Sequence, residues 1–369
     1  MTTDIDNIKL MANLPYLHGK PLASGDLRSQ PEDFKVFELL PFQASGEGEH
    51  LVLYIRKTCV NTIVVARLLA KYFGVKEGHV SYAGLKDRFA VCEQYFSIHL
   101  PGKNEDDLSS LNIEGVEVLS AQRHNKKLRT GALLGNRFEL TLRNVCNGDD
   151  LAERWQQLSA QGVPNYFGEQ RFGIDGGNIT RAKELFAGKK VKDKKKRGIY
   201  LSAARSFLFN QVVAERINKQ CFSELIDGDV CMLAGSQSVF HVPAVDETLV
   251  ERLASFDIDI TAPMWGRGQL MTTESVQQQE LAIVQQTPDF ANGLETFGLK
   301  QERRKIRLMM QMAKLSLDAD VLTVSFCLPA GSYATTILRE LINYRDATPR
   351  ADHNHNSHSS HSSHSSATA

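Results

Sequence analysis

Apolar and polar positions alternate through the first part of the chain, and helical spacing becomes commoner after it. Residues 33–40 (DFKVFELL) and 50–57 (HLVLYIRK) alternate as half-buried strands do, with residues 45–48 (SGEG) as their connection. Asn61 is placed to cap a helix over 62–73, where Ile63, Ala66, Leu69, Ala70 and Phe73 recur at helical spacing and Gly74 closes it. Strands at 79–83 and 90–99 leave 85–89 as the loop between them. Residues 116–119 and 137–143 (RFELTLR) continue the sheet. About the first 145 residues therefore predict a mainly antiparallel sheet with helical cover.

Beyond them the pattern changes. Asp149 and Asp150 suit the start of a helix through Leu151, Trp155 and Leu158, ended by Gly162 with Pro164 two residues on. A glycine-rich aromatic stretch follows (163–177, VPNYFGEQRFGIDGG), then the most basic run of the chain (189–197, KKVKDKKKR), then a helix over 202–217. Residues 321–328 (VLTVSFCL) return to strand character, and Ser332 is placed to cap a helix through Leu338 and Leu341. A strand and helix this late predict that the chain comes back to complete the first sheet, with the middle unit inserted. The organisation expected is a first part of the sheet unit over 1–155, an insertion over 156–312, a return over 313–346 and a disordered His/Ser-rich tail over 347–369.

Length agrees with this division, since 369 residues suffice for about two units of ~150 residues, each with its own core. Lys+Arg and Asp+Glu are both 43, so no global field attracts a polyanion and any nucleic-acid partner must be met by local clusters. Three such clusters stand out: Arg123, Lys126, Lys127 and Arg129; residues 189–197; and Arg303, Arg304, Lys305 and Arg307. Each alone is what a solvated face looks like, and together they suit a phosphate backbone. The six cysteines are scattered without C-x-x-C spacing and read as small buried side chains in a reducing cytoplasm. The acidic start lacks the order of a signal peptide, and no apolar run approaches the ~20 residues that cross a bilayer. The expectation is a cytoplasmic monomer with no membrane contact.

The strongest candidate chemistry lies in residues 81–94 (SYAGLKDRFAVCEQ), at Asp87. Gly84 suits a turn that presents this carboxylate, and the flanking Lys86 and Arg88 favour its charged form. Lys-Asp-Arg is also ordinary surface charge in a turn. Phe138, Tyr166, Phe167, Phe172 and Tyr333 are candidate stacking platforms for an extruded base, and each is equally a candidate for the core. A nuclease would need a divalent metal and more carboxylates near Asp87. A glycosidase would need a second carboxylate at about 5–10 Å, for which Glu93 is the nearest in sequence.

Ordered motifs then narrow the field. Pro31-Glu32-Asp33-Phe34, Gly46-Glu47-Gly48-Glu49-His50, Gly84-Leu85-Lys86-Asp87-Arg88 with Ala90 and Gln94, and Gly135-Asn136-Arg137-Phe138 come first. Val163-Pro164-Asn165-Tyr166-Phe167-Gly168 with Gln170-Arg171-Phe172-Gly173, Leu201-Ser202-Ala203-Ala204-Arg205-Ser206, and Leu328-Pro329-Ala330-Gly331-Ser332-Tyr333-Ala334 follow in order. From about residue 17 to 343 the chain closely resembles tRNA pseudouridine synthase D, the TruD family. The resemblance implies an α+β, V-shaped two-domain enzyme: a pseudouridine-synthase-type, mainly antiparallel sheet with helices, plus an inserted α/β TRUD domain. It implies isomerisation of uridine 13 in the D arm of tRNA, with neither cofactor nor metal. Carried over by position, Asp87 is the catalytic aspartate, Lys86 the basic residue beside it and Asn136 the asparagine that positions it. Phe138 is the aromatic against the target base, with Phe34 and Tyr333 near the pocket. The latter position is commonly Phe, so the Tyr333 hydroxyl is a departure without an assigned role. Arg88, Arg171, Lys194, Lys195 and Lys196 are the further residues expected to contact the RNA.

Overall fold

The computed structural model describes residues 11, 13–102, 108 and 110–349. The expected tail and the acidic lead lie largely outside these. Alternation yields the strands where it is regular: β1 (Ser24–Leu27), β2 (Phe34–Leu39), β3 (His50–Thr58), β4 (Val80–Tyr82), β5 (Val91–His99), β6 (Val116–His124) and β7 (Gly135–Cys146), with α1 (Thr62–Tyr72) after β3. The chain continues through α2 (Leu151–Gln161), β8 (Val163–Pro164), α3 (Glu169–Phe172), α4 (Gly177–Phe186), α5 (Lys194–Asn218), β9 (Val230–Leu233) and β10 (Val239–His241). Then come α6 (Glu247–Ala254), β11 (Ile258–Met264), α7 (Glu274–Val284), α8 (Pro288–Thr296), β12 (Glu302–Lys305) and β13 (Arg307–Leu308). β14 (Gln311–Asp318), β15 (Val321–Pro329), α9 (Ala334–Leu341) and β16 (Asn343–Asp346) complete the described chain.

The late strands do return. The large sheet runs β14-β15-β7-β2-β5-β3-β6, with β4 on β5, and β1 bridging β7 and β16. Its ladders are antiparallel except β2 with β5 and β1 with β16. A second sheet, β10-β9-β11-β12, is antiparallel throughout. This is the mainly antiparallel α+β architecture anticipated from the alternation. Gly135, which opens β7, is required by contact: a Cβ there would lie 2.1 Å from the Leu328 carbonyl oxygen of the neighbouring strand.

Directly paired residues point to one face, so the register locates the core. Across the sheet, Lys57, Cys92, Val36, Phe138 and Phe326 share a row on the helix-covered face. Two apolar clusters cover that face. Around α1, Val65 and Leu69 pack on Leu53, Ile55, Phe96 and Ile98. Around α2 and α9, Trp155, Leu158, Ile337 and Leu341 pack on Leu140, Val324 and Phe326. Burying one Leu or Phe completely contributes about 1.5–3 kcal/mol, so these faces hold the helices down. Between them, one residue pair further along the strands, the row becomes polar: Gln94, Glu38 and Asn136. A third core, built on α5 with Phe207, Leu208, Phe209 and Val213, takes in residues from Tyr166 to Ile306 together with Met11 and Leu14.

Several local expectations are corrected. Asn61 occupies the cap position of α1 but its side chain makes no cap bond, and α9 is entered from Tyr333 rather than Ser332. The helix expected from 202 begins at 194, because the Asp193 side chain accepts hydrogen bonds from the Lys195 and Lys196 main-chain N–H groups. Cys59 and Cys146 are exposed, while the other four cysteines are buried as expected. No described helix is long and apolar enough to cross a membrane.

Candidate active site

The loop after β4 lies over the polar row and is fixed along its backbone. Gln94 Nε2 donates to the Gly84 carbonyl at 3.3 Å, and the Lys86 N–H donates to Thr62 Oγ1 at 3.1 Å. Thr62 Oγ1 in turn donates to Gln94 Oε1 at 2.8 Å. Lys57 Nζ, at the base of the site, donates to the Asp87 carbonyl at 2.7 Å. Thr62 opens α1, so the same side chain joins helix, strand and loop. These bonds, rather than Gly84, define the turn: a Cβ at Gly84 would meet nothing within 4 Å, which removes the steric reason for glycine there.

So held, Asp87 presents a side chain 29% exposed. Its Oδ2 accepts from Arg28 Nη2 at 3.0 Å and its Oδ1 from Gln170 Nε2 at 2.6 Å. Arg28 is itself fixed, with Nη1 on Asp346 at 2.7 Å and its guanidinium 3.9 Å from the Phe34 ring centre. The cation at Asp87 is therefore Arg28, not its sequence neighbours. Lys86 turns into the floor and pairs with the buried Glu38 at 2.7 Å, and Glu38 also accepts the Tyr95 N–H. Arg88 is exposed and makes no ion pair with Asp87. Consecutive side chains of an extended loop diverge, so neighbours in sequence need not be neighbours at the carboxylate.

Asn136 sits beside Glu38 in the polar row but makes no hydrogen bond to Asp87, and its buried Oδ1 has no partner among the described residues. Phe138 and Phe34 are 7% and 3% exposed, edge-on to each other at 6.4 Å, so they are core rings that reach the site only at its floor. Tyr166, Phe167 and Phe172 are likewise buried and do not serve as open stacking surfaces. Glu93 belongs to the opposite face, where it accepts from Tyr54 and Arg56, which removes it as a second carboxylate for Asp87.

The single turn of α3 connects this site to the third core. Gln170 reaches Asp87, Arg171 donates from Nε to Tyr333 Oη at 2.9 Å and from Nη1 to Ser202 Oγ at 3.0 Å, and Phe172 enters the core. The Tyr333 hydroxyl thus has a role that the sequence leaves open: it accepts from Arg171. At Gly168, a Cβ would meet Thr335 Oγ1 at 2.9 Å and the Tyr333 ring at 3.2 Å, so glycine lets the turn approach α9 closely. A cavity of about 270 Å³ lies beside Arg28 and Gln170, lined also by Tyr16, Arg339 and Tyr344.

The basic clusters separate. Lys126, Lys127 and Arg129 are exposed on the segment leading to Asn136, and the Gly131 N–H on this segment donates to the Ala83 carbonyl beside the Asp87 loop. Lys194, Lys195 and Lys196 are exposed at the start of α5. The third cluster is not an open patch: Arg303 pairs with Glu280 and Lys305 with Asp259, while Arg304 and Arg307 lie over aromatic rings. Arg28 was missed in the sequence because it lies 59 residues from Asp87; its place just before Pro31-Glu32-Asp33-Phe34 was the available signal. Among the described residues no group of three or more His, Cys, Asp or Glu side chains is gathered as for a metal ion.

Comparison with known proteins adds to this geometry. The family model described as tRNA pseudouridine synthase D (TruD) matches residues 12–189 and 182–341. A tRNA pseudouridine synthase D of Colwellia psychrerythraea (strain 34H) is 61% identical over 347 residues, covering 91% of this chain and 95% of that one. One of Aeromonas salmonicida (strain A449) is 47% identical over 338 residues, covering 92% and 96%. A crystal structure described as TruD from Methanosarcina mazei superposes with a TM-score of 0.67 at 20% identity, over 89% of this chain and 95% of that one, a likeness of fold.

Proposed function

The chain belongs to the tRNA pseudouridine synthase D family, a family of isomerases, and from that premise we propose that it converts uridine 13 in the D arm of tRNA to pseudouridine with Asp87 as the catalytic carboxylate. The observation that carries the reading is a partly exposed Asp87 carboxylate, braced from two sides by Arg28 and Gln170, above a polar row of the helix-covered sheet face. Residues 1–155 and 313–346 form the catalytic unit in this reading, and 156–312 the second arm that grips the RNA.

The reaction moves one bond. The N1–C1′ bond breaks with its electron pair on the base, the uracilate turns, C5 bonds to C1′, and C5 loses a proton while N1 gains one. Nothing is oxidised or reduced. Attack on C1′, attack on the base and removal of the C2′ proton all use the ionised oxygen of Asp87, the form that pairs with Arg28. Two bonds to the carboxylate and three to the loop backbone fix its position before the substrate arrives, which is where positioning contributes most. Lys86 neutralises Glu38 beneath the loop, so that no second bare carboxylate repels Asp87. Asn136, Phe138 and Phe34 form the floor beneath the base, with Tyr333 as the flanking ring. Extruding the uridine costs a few kcal/mol, offset by phosphate contacts to Arg88, Arg171, Lys126, Lys127 and Lys194 to Lys196.

The test is Asp87→Asn and Asp87→Ala, with pseudouridine at position 13 as the readout. Both variants are expected to fold and bind tRNA and to lose turnover by at least about 10³-fold. Turnover within tenfold of wild type would end the assignment.

A further inference from the structure

Resting on the reading of this chain as a tRNA-modifying enzyme, we infer that Arg171 and Arg304 together form a subsite for one backbone phosphate of the RNA strand that carries the target uridine. Three guanidinium groups of the same region face a carboxylate: Arg205 meets Glu302, Arg216 meets Asp229 and Arg303 meets Glu280. Arg171 and Arg304 form no ion pair with any described carboxylate. They nevertheless converge on one ring, with guanidinium carbons 5.4 and 4.2 Å from the centre of Phe167. Two like charges brought together without an anion repel each other, and both lose hydration at the ring. Burial pushes the Arg304 guanidinium below its ordinary pKa, and the neighbouring Arg171 charge acts in the same direction. The arrangement lacks one negative charge.

The hydrogen bonds show where that charge would enter. Arg304 uses Nη2 for Asn165 Oδ1 at 2.7 Å and the Gly331 carbonyl at 3.1 Å, and its buried Nε has no partner. Arg171 uses Nε for Tyr333 and Nη1 for Ser202. That leaves Arg304 Nη1 and Arg171 Nη2 without an acceptor among the described residues, and neither is buried. An aromatic ring occupies the face of a guanidinium but not its edge, so these N–H groups remain able to bind an anion. Arg171 belongs to the same single-turn helix as Gln170, whose amide touches Asp87, so one short element carries both the brace of the carboxylate and one arm of the subsite. A phosphodiester fits, with one negative charge and two oxygens to receive a donor from each arginine.

Kinetics over a range of salt concentrations would be compared for wild type, Arg304→Gln, Arg171→Gln and the milder Arg171→Lys. The substrates are tRNA and tRNA carrying single methylphosphonate linkages around the target uridine, with thermal midpoints to identify any misfolded variant. The expected result is a KM raised about tenfold for each Gln variant with kcat within about threefold, and a salt slope smaller by about 0.7–0.9. One methylphosphonate linkage should reproduce the loss in wild type and add nothing in the variants. An unchanged KM and slope in folded Arg171→Gln, or losses that multiply at every linkage, would overturn the subsite while leaving the Asp87 chemistry standing. Absence of pseudouridine with wild-type protein would overturn both.

Discussion

Arg303-Arg304-Lys305 and Lys194-Lys195-Lys196 look alike as sequence and differ in every physical respect. On β12 the side chains alternate: Arg303 and Lys305 face Glu280 and Asp259, and Arg304 faces the Phe167 ring on the other side. On α5 the lysines occupy the first turn, where the helix dipole disfavours cations, and no described carboxylate pairs with them. Asp193 offsets part of that cost by capping two of their N–H groups. A cation is therefore structural where its partner is built in, as for Arg303 and Lys305, and available to an outside partner where no described carboxylate meets it, as for Arg304 and Lys194 to Lys196.

The sharpest way to break this contrast is Arg303→Met. It leaves Glu280 buried and unpaired, and the unfolding free energy in denaturant should fall by about 3–5 kcal/mol. Adding Glu280→Gln should restore most of it. Burial already pushes the folded Glu280 carboxyl above its ordinary value, against the pull of Arg303 and Thr272. Between the ordinary value and the raised one the unfolded chain has lost a proton that the folded chain keeps, so stability falls as pH rises through that window. Removing Arg303 raises the folded value further, and the decline should steepen. A pH-independent loss would show that Glu280 is not the group left exposed to the deficit.

A smaller effect is expected from Lys194→Gln, Lys195→Gln and Lys196→Gln combined. Binding of tRNA should weaken, with a salt slope reduced by up to about 2–3, while the thermal midpoint holds or rises slightly. An unchanged slope would remove these residues from the RNA face. The smallest expected effect is that of Asp193→Ala, a midpoint lower by about 1–3 °C. Main-chain N–H groups of Lys196 and Lys195 hold the Asp193 carboxyl below its ordinary value, so its support is present above that value and disappears as pH falls through the lower one. The Ala variant should lack that acid-side loss, and a melt series from neutral pH to about pH 3 would reveal it.

Strands were legible wherever one face is covered, as in residues 33–40 and 137–143, because alternation reports burial directly. Caps were less so. Asn61 and Ser332 are suitable residue types in nearly suitable places, yet Thr62 is the side chain that engages, and it does so with Gln94 rather than its own helix. The start of α5 was hidden by its lysines, which resemble a solvated loop until Asp193 is seen to cap them. At the candidate site, Asp87 and Asn136 stood out by motif. Their surroundings did not: Arg28 and Gln170 come from 59 and 83 residues away, and no local pattern encodes which cation meets which carboxylate. Lys86, adjacent in sequence, was for that reason credited with a part that Arg28 holds.

β16, the last described strand, lies beside β1, the first, and brings Asp346 to Arg28. During synthesis the N-terminal half of the large sheet must therefore wait, its β7 edge uncovered, while the ribosome makes everything between α2 and β14. The α5 core is complete in sequence by Ile306 and is free to form in that interval. The Asp346 contact that holds Arg28 behind Asp87 forms only once residue 346 has emerged, so a nascent chain short of β16 lacks that part of the brace.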